Sequence, residues 1–125
     1  MEESFTGGWY PDLQPFENMV VNRADYIADA EAPFYAVAFD RQGHLGWKDA
    51  YIHDEDPGYD HAHIIEVLCE TVSDAYLAYL RSIGVSYIFA GESVLDLHLA
   101  LTKLRLLFDI RTLLLEGGSI LNGAF

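Results

Sequence analysis

The chain alternates short, unbroken apolar runs with longer stretches in which apolar residues recur every three or four positions. The first run, Phe34-Tyr35-Ala36-Val37-Ala38-Phe39, has the length and aromatic content of a strand buried on both faces. Asp40 to Gly46 then reads as a turn pivoting on Gly43 and Gly46. Ile64-Ile65-Glu66-Val67-Leu68 predicts a second strand. Between Ser73, an expected N-cap, and Gly84, an expected C′ residue, Tyr76, Tyr79, Leu80 and Ile83 fall on one face of a helix. Val85 to Ala90 is β-branched and aromatic, hence a strand that Gly91 ends.

Ser93 with Asp96 three residues later predicts the start of another helix. Leu97, Leu101, Leu104 and Phe108 form its stripe, and Leu99, Ala100, Leu106 and Leu107 widen it, so the helix is expected to be largely covered. Thr112 to Leu115 predicts a further strand, and Ile120 to Phe125 the opening of a helix. Strand, helix, strand, helix, strand and helix start imply parallel crossovers and a sheet with helices on both faces.

The remainder has weaker order. Residues 1–33 carry Gly7-Gly8, Pro11, Pro15 and Pro33 among the aromatics Phe5, Trp9, Tyr10 and Phe16, the pattern of a loop-rich cover. Residues 49–63 form an acidic loop with three histidines, broken by Pro57-Gly58.

Composition narrows the function classes. In 125 residues, one domain spanning the whole chain, 51% are hydrophobic, enough for a packed core. Twenty acidic against 7 basic side chains give a net charge of -13. That balance opposes binding to nucleic-acid phosphates and to anionic membrane surfaces. No apolar run reaches the roughly 18 residues of a membrane span. One cysteine, Cys69, allows neither an internal disulfide nor a Cys-rich zinc site. The expectation is an acidic cytoplasmic protein.

Three constellations could carry chemistry. Glu116-Gly117-Gly118-Ser119 would stand at a strand end opening a helix, where ligands meet open parallel sheets. Two glycines allow close backbone approach, and free N–H groups at a helix start suit a pyrophosphate. Glu116 could then bond a polar substrate group, although the full G-x-G-x-x-G fingerprint is absent. Arg41, after Asp40 at the first strand's end, could hold a phosphate bidentately, or be a surface arginine in a polar turn. His53, Asp54, Asp56, Asp60, His61 and His63 include metal-ligand types, but fit no calcium loop; a solvated acidic loop is the plainer reading. Cys69 reads as a packed thiol, and no G-x-S-x-G elbow supports covalent catalysis.

Val85-Ser-Tyr-Ile-Phe-Ala-Gly-Glu92, Leu95-Asp-Leu97, Ala100-Leu101 and Leu113-Leu-Leu-Glu-Gly-Gly-Ser-Ile-Leu-Asn-Gly-Ala-Phe125 resemble the reductase domain at the C-terminus of bifunctional riboflavin-biosynthesis proteins, and more closely its stand-alone bacterial counterparts. That group belongs to the dihydrofolate reductase-like superfamily. The likeness implies a three-layer α/β domain with a mainly parallel sheet, and an NADPH-dependent reductase of a small, pterin- or pyrimidine-like substrate. It implies that Glu116 meets substrate. It implies that Gly117, Gly118, Ser119, Ile120, Leu121, Asn122, Gly123 and Ala124 wrap the cofactor phosphates, with Asp40, Arg41 and Gly91 also toward the cofactor. No catalytic residue is identified by it. The family's opening Ser-x-D-G and G-R-x-T segments and its later D-E-L segment are not in this sequence, so the chain is expected to be the middle of a longer domain. A catalytically inactive remnant, with exposed sheet edges that invite homodimer pairing, and a metal-binding module on the 53–63 loop are the rival expectations.

Overall fold

The computed structural model describes residues 12–32, 34–52, 62–110, 114–116 and 119–122, the last two segments by their backbone course. Residues 1–11, 33, 53–61, 111–113, 117–118 and 123–125 lie outside the described residues, and with them Trp9, the acidic part of the His-containing loop, Gly117, Gly118, Gly123 and Ala124.

Three parallel strands form one side of the sheet: β1 (Tyr35–Phe39), β2 (His63–Leu68) and β3 (Ser86–Phe89). β1 pairs with β2 through Tyr35↔His63 to Phe39↔Val67, and β2 with β3 through Ile65↔Ser86 to Leu68↔Phe89. Helices α1 (Asp74–Ile83) and α2 (Leu97–Phe108) follow β2 and β3, as the apolar periodicities predict. The fold is mixed α/β.

Alternation along the strands sorts the core into two clusters. Ala36, Ala38, Ile64, Leu68, Tyr87 and Phe89 pack with Tyr76, Leu77 and Leu80 of α1. Tyr35, Val37, Ile65, Val67 and Ile88 pack with Ala100, Leu104 and Phe108 of α2. The two helices therefore bury different faces of the sheet.

α1 has the expected ends. Ser73 Oγ accepts from the Tyr76 N–H at 3.1 Å, and Gly84 closes the helix at φ 83°. α2 differs in two ways. Its N-cap is Asp96, which accepts from the Leu99 N–H at 3.1 Å, so the helix begins three residues after the capping-box reading from Ser93. Its cover is also narrower than expected: Leu97 is 58% exposed and Leu106 76%. A helix lying on one sheet face buries one stripe however apolar its other sides are.

The C-terminal segment departs from the sequence expectation. Ser119–Asn122 is a strand, β5, and not a helix opening. It pairs antiparallel with β4 (Leu114–Glu116) and with the free side of β1, giving the sheet order β3-β2-β1-β5-β4. Glu116 pairs with Ser119 across two connecting residues, a hairpin-loop length. The physical reason is that β1 has an unpaired row of backbone groups beside it, which an apolar extended segment satisfies.

The described part of the N-terminal cover lies along β3. Tyr26 and Tyr87 exchange N–H···O bonds of 2.9 Å in both directions, and Asp25 Oδ1 accepts from the Phe89 N–H at 2.9 Å. Arg81 stacks 4.6 Å over the Tyr26 ring and donates to the Tyr87 hydroxyl at 2.8 Å. The β3 edge is thus bonded at Tyr87 and Phe89 by the chain itself. No helix among the described residues is long and apolar enough to cross a membrane.

Candidate functional site

The loops after β1, β2 and β3 leave one edge of the sheet, because these strands are parallel. β4 and β1 are both antiparallel to β5 between them, so they run parallel to each other. The register fixes their relative level: Ile120 pairs with Val37 on one side and Leu115 on the other. Glu116 therefore stands at the level of Ala38, two strand spacings away, about 10 Å. Four strands of the five send their carboxyl ends to one edge. That edge carries Asp40 and Arg41, Cys69 and Glu70, Gly91, and Glu116 with Ser119.

At side-chain scale these residues divide. Asp40 is turned inward: its carboxylate accepts the His44 N–H at 2.9 and 3.0 Å and the Leu45 N–H at 3.0 Å. It shapes the Asp40–Trp47 loop. Arg41 is exposed, and its carbonyl accepts from the Cys69 N–H at 3.2 Å, tying the loop to the end of β2. Gly91 has φ 113°, and a Cβ there would lie 2.1 Å from the Val94 carbonyl oxygen. Only glycine lets the chain fold back so that the Asp96 N–H reaches the Ala90 carbonyl at 2.9 Å.

Ser119, Ile120, Leu121 and Asn122 lie in β5 between two partners. Their backbone groups are drawn into the ladders with β1 and β4, so this stretch presents no helix N-terminus. Gly117, Gly118, Gly123 and Ala124, given the same role by the resemblance, lie outside the described residues.

Beside Gly91, a cleft of about 320 Å³ is lined by Arg23, Ala24, Asp25, Glu70, Phe89 and Lys103. Arg23 donates to the Glu70 and Val72 carbonyls at 2.5 and 2.8 Å and pairs with Asp74. Lys103 donates to the Phe89 carbonyl at 2.7 Å and pairs with Asp25 at 2.9 Å. Both cations are engaged by the chain's own oxygens, and they anchor the N-terminal cover to the sheet.

A polar cluster that the pattern reading missed lies just beneath the β1 loop. Glu66, fully buried in β2, accepts at Oε2 from the Trp47 indole N–H at 2.5 Å and lies 3.2 Å from the Tyr76 hydroxyl. That hydroxyl also lies 3.2 Å from Asp40 Oδ2 and 2.6 Å from the Leu45 carbonyl. Tyr79 donates its hydroxyl to the Trp47 carbonyl. Burial, then the charge of Asp40, raises the Glu66 carboxyl well above the usual carboxylate range. The available signal was a glutamate interrupting an unbroken apolar strand.

His63, read as part of the acidic loop, is instead the first residue of β2 and fully buried. Its Nε2 lies 2.8 Å from Ser86 Oγ, and Tyr51 packs with ring centroids 4.9 Å away. Burial pushes its imidazole down and favours the neutral ring. Tyr51 donates to Asp29 at 2.7 Å, and that bond is the main cause of its phenol being pushed up to about 12. Among the described residues no group of three or more His, Cys, Asp or Glu could hold a metal ion. His53, Asp54, Asp56, Asp60 and His61 lie outside them. Cys69 is buried and its thiol is raised by that burial, as expected of a packed residue.

No family model matches this chain, and no curated protein or solved structure is similar to it at a significant level.

Proposed function

We propose that the chain is a reductase domain of three-layer, dihydrofolate reductase-like architecture that uses NADPH and acts on a small polar substrate at the carboxyl edge of its sheet. The observation that supports this reading is the shared edge: the strand directions bring Arg41, Gly91 and Glu116 to the side where open α/β sheets meet ligands. The resemblance of residues 85–125 to riboflavin-pathway reductases points to the same edge. NADPH would supply the hydride. The chain would bind and orient: Arg41 is the exposed cation after β1 and would engage a phosphate, and Glu116 would accept a hydrogen bond from the substrate. In a chain of net charge -13 such a local cation matters, because the overall field repels an anionic nucleotide.

Titrating the protein with NADPH and following nucleotide fluorescence tests the proposal. Saturable binding is expected, weakened about tenfold by Arg41→Ala through loss of a charge-assisted contact. Absence of binding at millimolar NADPH would remove the reading. The strand at Ser119–Asn122 favours a second reading, a non-catalytic relative that keeps the fold. A cooperatively folded protein that ignores NADPH would establish it.

A further inference from the structure

Beneath the Asp40–Trp47 loop, fewer protons than acceptors meet at one phenol oxygen. The Tyr76 hydroxyl has one hydrogen and three oxygen neighbours: the Leu45 carbonyl at 2.6 Å, and Asp40 Oδ2 and Glu66 Oε2 at 3.2 Å each. One O–H cannot serve three acceptors. The shortest contact assigns it to Leu45, which leaves the phenol oxygen between two carboxyl groups. If both were ionised, three oxygens would meet with no proton among them. The Asp40 carboxylate is already satisfied by the His44 and Leu45 N–H groups. Glu66 has one donor, the Trp47 indole, and its Oε1 is buried without a partner. The missing proton therefore belongs on Glu66.

We propose that this proton is a latch: while Glu66 is neutral the Asp40–Trp47 loop is held down on α1 and β2, and when Glu66 ionises the loop is released. The groups facing Glu66 are Asp40, Trp47 and the Leu45 carbonyl from the loop, and Tyr76 and Tyr79 from α1; Ala38 and Tyr87 are its register neighbours on β1 and β3. None of these is a cation that could take over the compensation. β2, α1 and the Trp47 end of the loop are fixed by core packing, whereas Arg41, Gln42 and His44 are exposed, so the stretch from Asp40 to Leu45 is the part that yields. Burial and the Asp40 charge place the release above the ordinary carboxylate range, so the closed state belongs to the acidic side. The loop carries Arg41, so release would also displace the exposed cation of this edge. The latch itself does not depend on the nucleotide reading.

Isotope-edited NMR of the intact protein between about pH 5 and about pH 10 tests the latch. One glutamate carboxyl carbon should keep its protonated shift at neutral pH. As it titrates, the Trp47 indole N–H and the His44 and Leu45 amides should move with the same midpoint. In Glu66→Gln, which keeps a neutral side chain of the same shape, those loop movements should vanish. The proposal is overturned if every glutamate carboxyl is ionised at neutral pH, or if the loop stays in place as that carbon titrates. It is equally overturned if the carbon ionises only as the whole protein unfolds, or if the loop movements survive in Glu66→Gln, as they would if His44 caused them. If Glu66→Gln does not fold, the wild-type carboxyl and loop resonances decide alone.

Discussion

Glu66 shows how a residue that breaks a hydrophobic pattern is accommodated: an indole N–H, a phenol and a neighbouring carboxylate surround it in place of water. Asp40 and Gly91 stand out in the sequence for sitting at strand ends, where ligands are expected. The fold gives each an internal duty as well, Asp40 as the acceptor that shapes its own loop and Gly91 as the point where the backbone turns back. At Gly91 the steric demand is severe. Gly91→Ala should lower the unfolding free energy by at least about 2 kcal/mol, from the left-handed backbone and the contact with the Val94 carbonyl. Urea denaturation checks this; an unchanged midpoint would mean that the turn is not built as described.

Among elements, α1 was legible at both ends because its capping chemistry is local: Ser73 and Gly84 act on residues within one turn. The start of α2 was not legible to the residue. Two candidate caps, Ser93 and Asp96, are present, and the fold-back at Gly91 selects the second through the Asp96 N–H to Ala90 bond. Asp96→Ala should therefore cost about 1 kcal/mol, whereas Ser93→Ala at an exposed turn position should stay within about 0.5 kcal/mol. Thermal unfolding of the two variants separates the readings, since a capping-box start would reverse the order. β5 failed in the other direction. Ile120 and Leu121 suit a helix start as well as a strand, and the choice lies with β1, whose free side is far away in sequence.

For the whole molecule, two buried titratable groups pull stability in opposite directions with pH. The neutral imidazole of His63 is favoured by burial, so its folded value lies below the ordinary 6.5. Above that value both folded and unfolded states hold the ring neutral and nothing is lost. As pH falls below 6.5 the unfolded chain takes up the proton more readily, and stability declines. Glu66 acts with the opposite sign: its folded value is raised, so its contribution is complete below the ordinary 4.5 and is lost as pH rises through the folded value. His63→Gln should flatten the acid side of the stability profile and leave the alkaline side as it was. Unfolding midpoints measured across the pH range would show this, and an unchanged acid limb would place the titration elsewhere.

The sequence by itself determined the element types and order from Phe34 to Phe108, the two-sided burial of the central strands, the packed state of Cys69 and the acidic character of the whole. These follow from periodicity, capping and composition, which act over a few residues at a time. Tertiary structure alone decided that β5 joins β1, that the N-terminal cover bonds to the β3 edge, and that Asp40, Trp47, Glu66 and Tyr76 share one buried cluster. Each of these joins groups far apart in the chain. Their partners are set by which backbone rows and polar atoms would otherwise be buried unpaired, and that becomes defined only when the sheet is assembled.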